Sequence, residues 1–344
     1  NTGVNTSKLN RMEQFVNNFP MEEAHLTGEE IHNRLDEIEE IHALYSPTIL
    51  GLAAALACCA FTFLLGGGLV EMVLAFIAAG IGNLVRTKLI KHHYTLFLNI
   101  AMSISAACLA YALCLKLAEV LFHLPAFHEA GYICSILFII PGFPFITSGI
   151  DLAKLDLRSG LERLTYAIII ILVATMFAWI MALLLDLQPL TFTSMSLNPI
   201  LLLCLRIIAS FCGVFGFSIM FNSTIPMAAI AALIGAVANT FRLELIDFTG
   251  MPPAAAAFIG ALSAGLLASE IKKNNGYPRI SLTVPSIVIM VPGLYLYRAI
   301  YNFGIMSLTE AVSWFTSAIM IIIMLPLGLI FARILTDRTF RFCT

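Results

Sequence analysis

Charge is what this chain most lacks. Asp, Glu, Lys and Arg make up 12% of its 344 residues, against roughly 25% in soluble proteins, so a water-facing shell for a body of this size cannot be assembled. That shortage excludes an ordinary soluble enzyme. Catalytic signatures are missing too: the chain has no HExxH, no GxSxG or GxGD, and no Walker sequence that would power work by ATP. No CxxC occurs, and of the eight cysteines Cys58, Cys59, Cys108, Cys114, Cys134, Cys204 and Cys212 sit in apolar sequence, as small buried hydrophobes do. Neither a metal, a cofactor nor a catalytic residue is therefore expected. The formal net charge of −2 divides into −6 over residues 1–45 and +4 over the remainder, which is no nucleic-acid signature.

Apolar sequence is abundant: 60% of the residues are hydrophobic and mean hydropathy is +0.93. A bilayer-spanning helix needs about 20 mostly apolar residues. Ten such runs follow one another, at approximately 46–65, 70–85, 94–115, 131–152, 164–185, 200–221, 224–243, 253–271, 280–301 and 308–335. The expected fold class is an all-α polytopic membrane protein, with lipid supplying the missing solvent. The eighth run is rich in Ala and Gly, which suits a central, closely packed helix.

Residues 1–45 are polar and contain no apolar signal segment, and the chain opens Asn-Thr-Gly without Met. They read as the end of a cytoplasmic N-terminal domain in a longer protein, or as a simple lead-in helix. Thr27-x-x-Glu30 is a capping box ahead of Ile31, Leu35, Ile38, Ile41 and Tyr45 on one helical face. Ser46-Pro47 then starts the first apolar run. With the N-terminus in the cytoplasm, 15 of the 19 bases fall on that side, leaving Lys116, Arg206, Arg242 and Arg298 opposite. The positive-inside rule therefore places both termini in the cytoplasm, with residues 336–344 as a cytoplasmic tail.

Self-comparison exposes a repeat. Residues 135–151 align without gaps on 286–302, superposing Pro141-Gly142 on Pro292-Gly293, and Asn83-x-x-Arg86-x-x-Leu89 recurs as Asn239-x-x-Arg242-x-x-Leu245. Residues 46–185 and 200–335 are thus two five-span units. An odd span count inserts the second unit upside down, the inverted-repeat plan of many secondary transporters. Proline removes a backbone donor and glycine accepts unwound torsions, so the fourth and ninth helices are expected to be discontinuous; the alternative is a plain proline kink. The second half-helix of each would begin near the midplane with its positive end inward, where a carboxylate binds.

The substrate-binding candidates follow from that geometry: Pro141, Gly142, Thr147, Ser148 and Asp151 in the fourth span, and Pro292, Gly293, Tyr295, Arg298 and Asn302 in the ninth. Asp151 is placed to hold a substrate ammonium or the coupling proton, or else lies in the interface beside Lys154 and Arg158. Arg298 pairs a carboxylate, gates the outer mouth, or snorkels from the aromatic belt. Asn83 and Asn239 are candidates to support the helix breaks. Glu71, Asn99, Ser103, Arg206, Glu244, Asp247 and Glu270 are expected at interfaces.

Taken in order, Leu64-Leu65-Gly66-Gly67-Gly68, Asn83-Leu-Val-Arg86, Ile140-Pro141-Gly142-x-Pro144 with Asp151, and Val291-Pro292-Gly293 with Arg298 resemble the threonine/serine exporter (ThrE) family over residues 30–301. The resemblance implies export of threonine and serine from the bacterial cytoplasm through the inner membrane, driven by the proton gradient, with two five-span modules fused in one chain. Implied partners are the small amino-acid substrate, protons and the lipid bilayer, with a homo-oligomer left open. A passive channel, a membrane scaffold subunit, or an exporter of another small solute stand as alternatives.

Overall fold

The computed structural model describes residues 4–20, 25–41, 43–123, 128, 130–189, 192 and 197–341, and every regular element among them is helical. Parts of the N-terminal segment (1–3, 21–24 and 42) and the last three residues of the expected tail, 342–344, lie outside the described residues. Two helices precede the membrane region, α1 (Thr6–Asn18) and α2 (Gly28–Glu39). The first half then comprises α3 (Pro47–Leu64), α4 (Leu69–Lys91), α5 (Leu96–Phe122), the short α6 (Gly131–Ser135), α7 (Gly142–Ala153) and α8 (Leu157–Leu185). The second comprises α9 (Pro199–Met220), α10 (Ile225–Thr249), α11 (Pro253–Asn275), α12 (Arg279–Val288), α13 (Gly293–Gly304) and α14 (Leu308–Thr336), and α15 (Arg338–Arg341) ends it. Among the described residues, eight helices are long and apolar enough to cross a membrane. Two bent pairs, α6 with its 3₁₀ turn plus α7 and α12 plus α13, raise the number to ten when each counts as one span.

Local chemistry starts these helices where the sequence suggests. Ser46 Oγ accepts from the Ile49 N–H, with Pro47 at the first helical position. Asp156 caps α8, and the Ser159 hydroxyl and N–H hold its carboxyl below the usual range. The Thr27–Glu30 capping box is formed, but α2 stops at Glu39, so Ile41 and Tyr45 lie beyond it. Tyr45 instead donates its hydroxyl to Ser223 O at 2.6 Å. Several spans run past their apolar stretches: α4 continues to Lys91 and α10 to Thr249, so Arg86 belongs to a helix rather than a loop and Arg242 lies well inside one.

The two halves share backbone detail. Left-handed residues close the first four spans of one half at Gly66, His93, His123 and Leu155, and of the other at Asn222, Gly250, Gly276 and Met306. α7 and α13 each have 12 residues, and α8 and α14 each have 29.

Close packing depends on small residues, because apolar side chains gain little by leaving lipid for protein. The Ala/Gly-rich α11 has the buried stripe its composition indicates: Ala257, Ala261, Ala264 and Ala268 are fully enclosed. α14 approaches it so tightly that a Cβ on Gly328 would lie 2.5 Å from Phe258 O and 2.7 Å from Ala261 Cβ.

α1, which no periodicity in the sequence had indicated, docks on the α9–α10 turn. Thr6 N–H donates to Phe221 O at 3.0 Å, Thr6 Oγ1 and Ser223 Oγ are 2.7 Å apart, and Asn222 Nδ2 donates to Asn5 Oδ1 at 2.9 Å. Asn222 Oδ1 also accepts from Leu44 N–H at 2.7 Å, and Lys272 Nζ pairs with Glu13 at 2.9 Å. Lys8 reaches the Glu39 carbonyl, joining α1 to α2.

Two outcomes test this packing. Gly328→Val, by forcing α11 and α14 apart, is expected to destabilise the protein by about 1–3 kcal/mol, read as a lower melting temperature in detergent, while the lipid-facing Leu113→Val leaves it unchanged. Asn222→Gly keeps the left-handed turn but removes two hydrogen bonds that anchor the N-terminal segment, so protease should cut ahead of α3 faster without a change in the melting temperature of the helical body.

Candidate functional site

The breaks in the fourth and ninth spans have the same geometry. At the first, Pro141 has φ −80°, ψ 58°; at the second, Pro292 has φ −82°, ψ 55°. The bends are 56° and 48°. Gly142 N–H donates to Ile140 O at 2.8 Å and Gly293 N–H to Val291 O at 2.9 Å, and the next helix is opened by Phe145 N–H on Pro141 O and by Leu296 N–H on Pro292 O, both at 3.1 Å. These are discontinuous helices, because each half-helix restarts at the glycine.

Moreover, the breaks face each other. A Cβ on Gly142 would lie 3.1 Å from Val288 and 3.3 Å from Val291, and one on Gly293 would lie 3.0 Å from both Leu137 and Ile140. Each glycine packs on the opposite broken helix at the same pair of positions. With Phe61 and Phe217, these residues enclose a void of only about 10 Å³, room for one water at most. They form an apolar septum.

A cavity lies on each side of the septum. The first, of about 240 Å³, is lined by Pro141, Gly142, Asn83, Arg86 and Tyr166 and lies toward the end of the bundle where α3 begins, with Leu50, Ile90 and Val4 at its rim. The second, of about 470 Å³, is lined by Pro292, Gly293, Tyr295, Arg298, Arg242, Arg206 and Asp247 and lies where α3 ends, beside Leu65 and Gly66. A third cavity, of about 670 Å³, is lined by Lys154, Lys272, Arg279 and Arg333 at the α3-starting end, away from the breaks.

Thus the structure brings Pro141, Gly142, Pro292 and Gly293 together, with Asn83 beside the first break and Tyr295 and Arg298 beside the second. Arg298 lies 4.8 Å over the Trp314 ring, which Tyr295 meets edge-on at 5.1 Å. Asn83 donates to Leu50 O at 2.8 Å, holding α3 to α4, while Asn239 is fully buried and donates to Ser210 Oγ at 2.9 Å, holding α9 to α10. Thr147 and Ser148 turn their hydroxyls to backbone carbonyls of their own helix, Phe143 O and Phe145 O, and Asn302 does the same with Arg298 O. Asp151 pairs with Arg163 of α8 at 2.7 Å, its side chain 17% exposed.

Of the residues expected at interfaces, three are enclosed by protein. Glu71 is 2% exposed and its Oε1 meets His128 Nδ1 at 2.8 Å, while Asn99 and Ser103 are buried on α5, where the Ser103 hydroxyl donates to Asn99 O. Arg206 is held on both sides, by Glu244 at 2.7 Å and Asp247 at 2.6 Å.

The residues missed by sequence reasoning are Arg86 and Arg242. Counted along the chain as topology markers, they are cavity-lining cations beside the two breaks. The repeated Asn-x-x-Arg was the available signal, since positions three apart share a helix face.

Two family models match the chain: "Putative threonine/serine exporter" over residues 1–185 and "Threonine/Serine exporter, ThrE" over residues 206–335. Among similar sequences is a protein of Escherichia coli (strain K12) described as "Probable succinate transporter subunit YjjP", 28% identical over 156 residues, 44% of this chain and 57% of that protein. The protein of the same description from Klebsiella aerogenes is 26% identical over 183 residues, 52% of this chain and 66% of its own length. The matches therefore span less than two thirds of either relative. No solved structure matches the chain. With both family models in sequence along one polypeptide and up to ten apolar spans to carry them, the chain belongs to the threonine/serine exporter family of multi-pass membrane proteins.

Proposed function

We propose that this protein is a proton-coupled secondary transporter that exports threonine and serine from the bacterial cytoplasm by alternating access between two inverted five-span repeats. One observation carries the proposal: two matching Pro-Gly breaks meet at an apolar septum that separates a cavity at one end of the bundle from a cavity at the other. A transporter needs two gates around one site and must never open both. Here a relative movement of the halves that thins the septum on one side would admit solute from that side alone.

In this account the cavity near the start of α3 faces the cytoplasm, in keeping with the side on which most bases fall. α7 and α13 both start at the septum, so their positive dipole ends favour a substrate carboxylate there. Asp151 is the proposed proton carrier. Its partner Arg163 stands on the next helix, so protonation of the carboxyl would release α7 from α8 and couple proton entry to a helix movement.

The absence of any acid among the described residues lining the first cavity favours a second substrate reading, a dicarboxylate, in line with the succinate in the relatives' descriptions. A zwitterion would leave its ammonium to backbone carbonyls there.

Proteoliposome counterflow tests both substrate classes: labelled L-threonine should exchange under the first reading and labelled succinate under the second, and exchange of neither defeats the export proposal. Asp151→Asn should keep counterflow but abolish accumulation driven by an imposed pH gradient; wild-type gradient-driven flux in this variant removes Asp151 from coupling. Replacing Pro292-Gly293 with Ala-Ala is expected to restore a continuous helix and lower exchange by about tenfold or more, whereas an unaffected rate would reduce the break to a kink.

A further inference from the structure

We infer that Arg86 and Arg242 are the two carboxylate-binding residues of the transport pathway, Arg86 serving the cytoplasmic cavity and Arg242 the outer one, and that the pathway therefore takes small carboxylate solutes. This rests on the alternating-access proposal above and assigns its binding groups.

The first support is charge without compensation. A guanidinium stays protonated under all biological conditions, and an intramembrane cation is costly unless something negative stands against it. Arg206, in the same outer cavity as Arg242, shows how this chain settles an arginine structurally: it has two carboxylates, Glu244 and Asp247, within 2.7 Å. Neither Arg86 nor Arg242 has an ion-pair partner among the described residues. The one hydrogen bond recorded for Arg86 is long, from Nη1 to Phe138 O at 3.4 Å. Arg242 Nε is enclosed and has no hydrogen-bond partner.

Position is the second support. Both arginines line a cavity and both stand beside a helix break: Arg86 shares the first cavity with Pro141-Gly142, Arg242 the second with Pro292-Gly293. Each is about 4.5 Å along its helix from an asparagine that fixes that helix to its neighbour, Asn83 on Leu50 O and Asn239 on Ser210 Oγ. The asparagines locate the helices and the arginines are left over for a ligand. Since Asn-x-x-Arg recurs in the two halves, an interchange of their arrangements exchanges the environments of the two cations.

Third, the chemistry selects the ligand. A planar guanidinium binds a carboxylate through two parallel hydrogen bonds, and the positive dipole end of the half-helix starting at Gly142 or Gly293 attracts the same charge. Among the described residues Asp247 is the single acid lining either of these two cavities, and it is already engaged by Arg206 rather than competing for Arg86 or Arg242. A solute would pass its carboxylate from Arg86 to Arg242 as the septum yields, and neither arginine would be left unpaired for long.

The test is sided. Arg86→Gln and Arg242→Gln are reconstituted in proteoliposomes, and counterflow of succinate and of L-threonine is measured with substrate varied on one face at a time. Arg86→Gln is expected to raise KM about tenfold to a hundredfold on the cytoplasmic face only, and Arg242→Gln by the same range on the outer face only, with Arg→Lys restoring part of the loss. Equal KM values in wild type and both variants would overturn the assignment, as would loss on both faces together with a lower ligand-free melting temperature, the mark of an arginine that merely clamps backbone such as Phe138 O. Thermal stabilisation of the purified protein separates this inference from the transport proposal. If wild type carries neither solute yet is stabilised by succinate or threonine but not by the carboxylate-free ethanolamine, and the double Gln variant loses that stabilisation, the site stands and the export proposal fails. No carboxylate-specific stabilisation in a wild type that also carries neither solute would overturn both.

Discussion

The organisation of this molecule depends on one contact, the meeting of two broken helices at their Pro-Gly pairs. Proline cannot donate to the carbonyl one turn back and glycine accepts unwound torsions, and where the two occur together each span opens, whereas Pro326 alone leaves α14 continuous; in lipid an opened backbone survives only where protein or water covers it. The two breaks cover each other. Gly142 against Val288 and Val291, and Gly293 against Leu137 and Ile140, bring the unwound segments into van der Waals contact that a Cβ on either glycine would crowd. Everything else of interest radiates from that point: the septum, the cavities on either side of it, and the half-helix ends that start at it.

Polar groups in such a body must be accounted for singly, because the surroundings do not compensate them. Most are. Thr147, Ser148 and Asn302 spend their donors on their own helices, and Asn83 and Asn239 tie neighbouring helices together. Asp151 is matched by Arg163, Glu71 by His128, and Arg206 by two carboxylates. Arg86 and Arg242, which line the cavities beside the two breaks, have no ion-pair partner among the described residues.

The place of the break in each span was legible in sequence because a Pro-Gly pair acts on its own backbone and recurs in both halves; the torsions at Pro141 and Pro292 agree within 3°. Span number was legible for a similar reason, since apolar length is a local property. Less could be read about individual polar side chains. Thr147 and Ser148 lie within one or two turns of the first break, yet a hydroxyl can turn back to a carbonyl of its own helix, and here both do. Arg86 and Lys88 look alike as basic residues near a helix end. One lines a cavity and the other is exposed, a difference set by which face of α4 turns toward Phe138 and the first break.

Composition, apolar length and the repeated Pro-Gly and Asn-x-x-Arg motifs determined by themselves a helical membrane protein of two matching halves with two discontinuous spans, because each follows from hydropathy or backbone restriction within a few residues. Only the tertiary structure decided that the breaks touch, that a dry septum of six apolar side chains separates two cavities, and that Arg86 and Arg242 rather than Thr147 or Ser148 face them. The physical reason is range. A helix break is made by one residue and its own carbonyls, whereas a cavity and the charge it exposes are made by side chains from α3, α4, α9 and α10 that lie more than a hundred residues apart along the chain and meet only when the two halves pack.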